Sequence, residues 1–128
     1  MASDVNDHQS LKVPPHSLEA ERAVLGGLML DTGAWDAIAS LVTPDDFYRG
    51  EHRTIFRAME WLAADNKPLD IVTLAEPLES HGELEAIGGL PYLSDLAEST
   101  PSASNVTAYA EIVQERSTVR KLIIVAHE

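Results

Sequence analysis

The chain reads as an all-α protein on three observations: apolar residues recur at helical spacing through most of its length, helix-capping residues stand where that pattern restarts, and no period-2 segment of useful length competes. About six or seven helices joined by short connections are expected. At 128 residues, 45% of them hydrophobic, the chain is long enough for one compact domain and too short to expect two.

Residues 1–16 are polar, carry no apolar period and end in Pro14-Pro15, which predicts a flexible N-terminal tail with folded structure from Ser17. Ser17 is a good N-cap for SLEAERAVLGGLML, where Ala20, Ala23, Val24, Gly27 and Leu28 share one stripe and Glu19 sits in the first turn. Gly26 and Gly27 each cost about 1 kcal/mol against alanine inside a helix, so a neighbouring helix packed closely on that face is expected as compensation. After Thr32-Gly33, residues 34–42 line up Trp35, Ile38, Ala39 and Val42 as a short second helix. Thr43-Pro44-Asp45-Asp46 then reads as a helix start, with a hydroxyl cap, a proline and two carboxylates at the positive end. From Glu51 to Ala64, Ile55, Phe56, Met59, Leu62 and Ala63 give the strongest helical signal in the chain.

Asp70 can cap the next helix, in which Ile71, Leu74, Ala75 and Leu78 share a face, Pro77 should introduce a bend and Gly82 ends the run. Residues 83–87 allow only a short turn before Gly88-Gly89. Leu90, Leu93, Leu96 and Ala97 then mark a brief helix opened by Pro91. Residues 99–105 are a loop, and the pattern afterwards is helical to the end through Val106, Tyr109, Ala110, Val113, Val119, Leu122, Ile123 and Ala126. No stop signal stands at Ala126-His127-Glu128, so a piece of a longer protein is expected. The run Leu122-Ile123-Ile124-Val125 is apolar around more than one helix face and asks for burial on two sides, one of them against another subunit.

The net charge of −12 disfavours wrapping of a phosphate backbone, and seven aromatics provide no evident stacking platform for single-stranded DNA. Without cysteine there are no disulfides, thiolate metal sites or thiol nucleophiles. No apolar run approaches the roughly 18 residues of a membrane span, and the opening MASDVNDHQS lacks the features of a signal peptide, so a cytoplasmic protein without membrane contact is expected. No phosphate-binding glycine loop, metalloprotease motif or EF-hand is present, which leaves catalytic, cofactor-binding and metal residues at none. Glu51-His52 and Glu79 with His81 can be drawn as acid–base pairs, but the ordinary reading is surface side chains. Arg49, Arg53 and Arg57 form a basic stripe four residues apart, best read as a solvated face paired locally to acids such as Glu60. Residues 60–98 hold nine acids and one lysine, a surface that would steer a basic protein partner. Tyr92 falls off the leucine stripe; its simplest reading is a half-buried ring with the hydroxyl in water, and as an exposed aromatic it is also a candidate interface anchor.

The ordered blocks LKVPPHSLEAERAVLGGLML, DFYRGEHRTIF, DIVTLAEPLE, GGLPYLSDL and TPSASNVTAYAEIVQERSTVRKLI resemble, over residues 11–128, the N-terminal domain of bacterial replicative DNA helicases of the DnaB family. The resemblance implies a collar domain of a ring-shaped hexamer: a helical head over residues 17–104 followed by the first arm of a helical hairpin over residues 105–128. The ATPase domain, which in that family carries ATP and Mg and contacts single-stranded DNA, is absent, so this chain itself would have no cofactor and no enzymatic role. Implied partners are a second copy of the chain, within a trimer of dimers, and the C-terminal domain of DNA primase; a helicase loader is a further candidate. On the same basis Glu19 and Tyr92 are candidate partner-interface residues, and Val119, Leu122, Ile123 and Ala126 are candidates for self-association. A free-standing adaptor or inhibitor that pairs with helicase collars is the alternative reading.

Overall fold

The computed structural model describes residues 13–100 and 102–127. Among them are six α-helices, two short 3-10 turns and no strand. Helix α1 (Leu18–Leu30) begins where expected, with the Ala20 N–H donating to Ser17 Oγ at 3.2 Å. It runs through the middle of the molecule, packed against the last two helices, and is buried almost continuously from Val24 to Met29. The glycine pair makes that position possible. A Cβ on Gly26 would collide with the Leu96 carbonyl and the Thr100 side chain, and one on Gly27 would press within 3.0 Å of Val106. The close approach expected from GG is therefore real, and the lost helix propensity is offset by contact between backbones.

A 3-10 turn (Thr32–Ala34) leads into α2 (Trp35–Ala39), which is shorter than the sequence pattern suggested. The Leu41 and Val42 amides both fold back onto the Ile38 carbonyl, so the chain turns at Ser40 while Val42 still reaches the core. The expected start signal at Thr43 opens a second 3-10 turn (Pro44–Asp46) and not a long helix. Its Asp46 carboxylate accepts the Thr43 N–H at 2.8 Å, which closes the turn on itself. The strong amphipathic segment forms α3 (Gly50–Ala64), with His52, Ile55, Phe56, Ala58, Met59 and Leu62 buried.

Asp70 caps α4 (Ile71–Ser80) through the Thr73 N–H at 2.8 Å, and the helix carries on for a turn past Pro77. Gly82 and Gly88 take positive φ, +71° and +109°, and bracket the turn that reverses the chain into α5 (Gly89–Ser99). That helix starts two residues before Pro91, the proline falling in its first turn where a missing N–H costs nothing. The final helix, α6 (Val106–His127), spans about 33 Å at the usual rise. Its first half buries Val106, Ala110, Val113 and Ser117 against the rest of the molecule. Beyond Ser117 the pattern inverts: Leu122, Ile123, Ile124 and Val125 are 64%, 41%, 57% and 67% exposed.

Candidate partner-binding surface

A buried polar chain joins α1, α3 and α5. Helix α3 places His52 on its inward face, where the imidazole is fully buried. Its Nδ1 lies 2.7 Å from Oε1 of Glu21 on α1, and its Nε2 lies 2.6 Å from the hydroxyl of Tyr92 on α5. Glu21, also buried, accepts the Tyr48 N–H at 2.6 Å with its other oxygen. A carboxylate only accepts, so in a neutral ring Nδ1 carries the proton and Nε2 receives the Tyr92 O–H. The hydroxyl expected in water therefore points inward, while the ring remains half-buried at the surface. Burial lifts the Tyr92 pKa above its ordinary value, against the opposing charges of Arg49 and Arg22, which keeps the phenol a donor.

The acid–base pairs drawn from adjacency do not form. Glu51 bonds Arg49 at 2.7 Å and not His52, and that hydrogen bond holds the Glu51 carboxyl below its usual range. His81 stacks on Trp61 with centroids 4.3 Å apart and bonds the Pro77 carbonyl, away from Glu79. Sequence neighbours on a helix diverge, whereas Glu21 and His52, 31 residues apart, converge through packing. Of the basic stripe, Arg49 is spent on Glu51 and Arg53 on the Phe47 and Tyr48 carbonyls, both at 2.9 Å. Arg57 acts on Glu60 only through charge: burial raises the Glu60 pKa and the Arg57 charge opposes the rise.

A second polar cluster fastens α6 to the turn at Asp46. Ser117 Oγ donates to Asp46 Oδ1 at 2.6 Å, Lys121 Nζ reaches the same oxygen at 3.2 Å, and Arg120 donates to the Asp46 carbonyl at 2.7 Å. Burial alone would raise the Asp46 pKa, but the bonds from Ser117, Thr43 and Lys121 outweigh it and hold the carboxyl below the ordinary value. Arg120 also donates to the Pro15 carbonyl at 2.8 Å and lies over the Tyr48 ring, on which His16 is stacked with centroids 4.0 Å apart.

Glu19 is exposed on α1, at the edge of a shallow recess of about 230 Å³ that it shares with Arg22, Ser99, Thr100 and Tyr109. Arg22 borders both candidates, since it lines that recess and its charge also acts on the Tyr92 hydroxyl. Val119, Leu122, Ile123 and Ala126 all stand exposed on the distal part of α6. Sequence reasoning missed Glu21 and His52 as partners; a carboxylate two residues past Glu19, inside the apolar stripe, was the available signal. No group of three His, Cys, Asp or Glu is placed to hold a metal ion among the described residues, and none of their helices is long and apolar enough to cross a membrane.

Residues 13–115 match the family model of the DnaB-like helicase N-terminal domain. The replicative DNA helicase DnaB of Haemophilus influenzae is 48% identical over 117 residues, which cover 91% of this chain and 25% of that protein. The chain thus spans about a quarter of the length of the curated relatives it matches. Among solved structures, the N-terminal domain of DnaB helicase from Mycobacterium tuberculosis superposes with a TM-score of 0.87 at 38% identity, covering 90% of this chain and 80% of that one. A DnaB-like replicative helicase, solved with an account of its interactions with primase, superposes with a TM-score of 0.75 at 29% identity over 84% of this chain and 25% of its own.

Proposed function

Because the chain belongs to the family of DnaB-like helicase N-terminal domains, we propose that it is the collar of a replicative helicase, which joins subunits into a ring and recruits primase at the fork. Its output is binding energy and not catalysis. ATP, Mg and DNA unwinding belong to a motor domain elsewhere in the full-length protein, acting in the cytoplasm. The observation that carries this reading is the abrupt change along α6 from a buried half to a half that leaves Leu122, Ile123, Ile124 and Val125 in solvent. A face of that character is stable when another helix lies on it. The occupants we assign are the second arm of a helical hairpin and, across the subunit boundary, the same surface of a second copy, with residues 105–128 as the first arm. The head, residues 17–104, then presents Glu19 and Tyr92 to the C-terminal domain of primase, a partner class supported by the primase interactions of the DnaB-like helicase described above. The acidic stretch over residues 60–98 supports steering of a basic partner toward this head.

Light scattering after size exclusion, over a range of concentrations and with and without the primase C-terminal domain, tests both parts. A dimer that forms with concentration and takes up the primase domain is the expected result. A strictly monomeric mass at high concentration overturns the self-association role of Val119, Leu122, Ile123 and Ala126, and a chain that ignores primase overturns the recruiting role.

A further inference from the structure

We propose that His52, backed by Glu21, is the positioning residue of the primase-binding surface: it holds the Tyr92 ring in one orientation, so that the partner meets a fixed aromatic face and not a hydroxyl. This rests on the placement of Tyr92 in that surface. The hydroxyl is already committed inward, 2.6 Å from His52 Nε2, in a bond between a fully buried ring and a half-buried one. His52 cannot turn to follow a rotating Tyr92, because Nδ1 is tied to Glu21 at 2.7 Å and Glu21 is tied to the Tyr48 backbone at 2.6 Å. Gly88 completes the seat, since a Cβ there would come within 2.7 Å of Tyr92 Cβ. Arg49, whose charge acts on the Tyr92 hydroxyl, is itself occupied by Glu51 at 2.7 Å. An aromatic ring fixed before the encounter gives up less conformational freedom on binding than one that must be ordered by the partner.

The test is isothermal titration of the chain with the C-terminal domain of its cognate primase, using four variants. Tyr92→Ala removes ring and hydroxyl, and a loss of roughly tenfold or more is expected for an aromatic anchor. Tyr92→Phe keeps the ring and cuts the tether. His52→Asn keeps a donor at the Nδ1 side and loses the Tyr92 bond, whereas His52→Gln keeps a partner for Tyr92. Tyr92→Phe and His52→Asn are each expected to weaken binding about three- to tenfold, the cost of ordering one released side chain on the encounter. Their combination should lose no more than either alone, and His52→Gln, which keeps a partner for Tyr92 but gives up the tie to Glu21, should bind more tightly than His52→Asn and less tightly than the parent. Additive losses, or tight binding by both Tyr92→Phe and His52→Asn while Tyr92→Ala fails, overturn the positioning role and leave Tyr92 in the interface. Full binding by Tyr92→Ala overturns the interface reading itself. Should His52→Asn not fold, Tyr92→Phe carries the test, because it leaves the Glu21–His52 pair untouched; its ring is then expected to show averaged contacts to His52 by NMR where the parent shows a single set.

Discussion

Asp46 shows how one side chain can serve two separate parts of the structure. Its carboxylate closes its own 3-10 turn through the Thr43 N–H and, 71 residues along, receives the hydroxyl of Ser117. Asp46→Ala is expected to lower stability by about 1–2 kcal/mol in denaturant titration, the worth of a lost cap and a buried hydroxyl left unpaired. The folded pKa of Asp46 is depressed, so its contribution is complete above the unfolded value near 3.8 and fades as pH falls through the folded one. The parent and Asp46→Ala should therefore differ at neutral pH and converge at strongly acidic pH. Gly26→Ala is a second residue-scale case: the added methyl meets the Leu96 carbonyl, which cannot yield like a side-chain tip, and a loss of about 1–3 kcal/mol is expected in the same titration. The local half of each story was legible in the sequence, since TPDD reads as a cap and GG as a close approach. The partners Ser117, Leu96 and Thr100 were not, because spacing along a chain carries no information about which distant turn folds onto it.

Helices are where sequence and structure agree best, because caps and apolar periods act within a few residues. Ser17 and Asp70 cap α1 and α4 as their chemistry dictates. Asp70→Ala is expected to cost about 1 kcal/mol, measured by thermal unfolding. The hydrogen bonds from Thr73 that make it a cap also hold its carboxyl below the ordinary range, so this cost too should shrink at acidic pH. Agreement fails at α2, where the periodic stretch over residues 34–42 forms a helix only as far as Ala39. Burial of Val42 and Phe47 requires the chain to change direction there, and packing outweighs the weak propensity of a five-residue helix. Pro77 is accommodated without ending α4, which runs on to Ser80.

For the molecule as a whole, the core and the exposed apolar run at the end of α6 set the behaviour among the described residues. Leu122→Lys with Ile123→Lys should shift the mass toward monomer without lowering the melting temperature of the head, since neither side chain reaches the core. The all-α class and the apolar run at the end of the last helix were legible from periodicity alone. The buried Glu21–His52–Tyr92 chain was not, since it exists only once three helices are packed together. The cluster at Asp46 has a consequence for assembly geometry. Ser117, Arg120 and Lys121 occupy one turn of α6 and are all held by the same short segment of chain, Arg120 being tied in addition to Pro15. A helix gripped on one side at a single level cannot spin about its long axis without breaking the grip. The azimuth at which α6 offers its apolar stripe is thereby fixed relative to the head, and with it the angle between any two heads joined through that stripe.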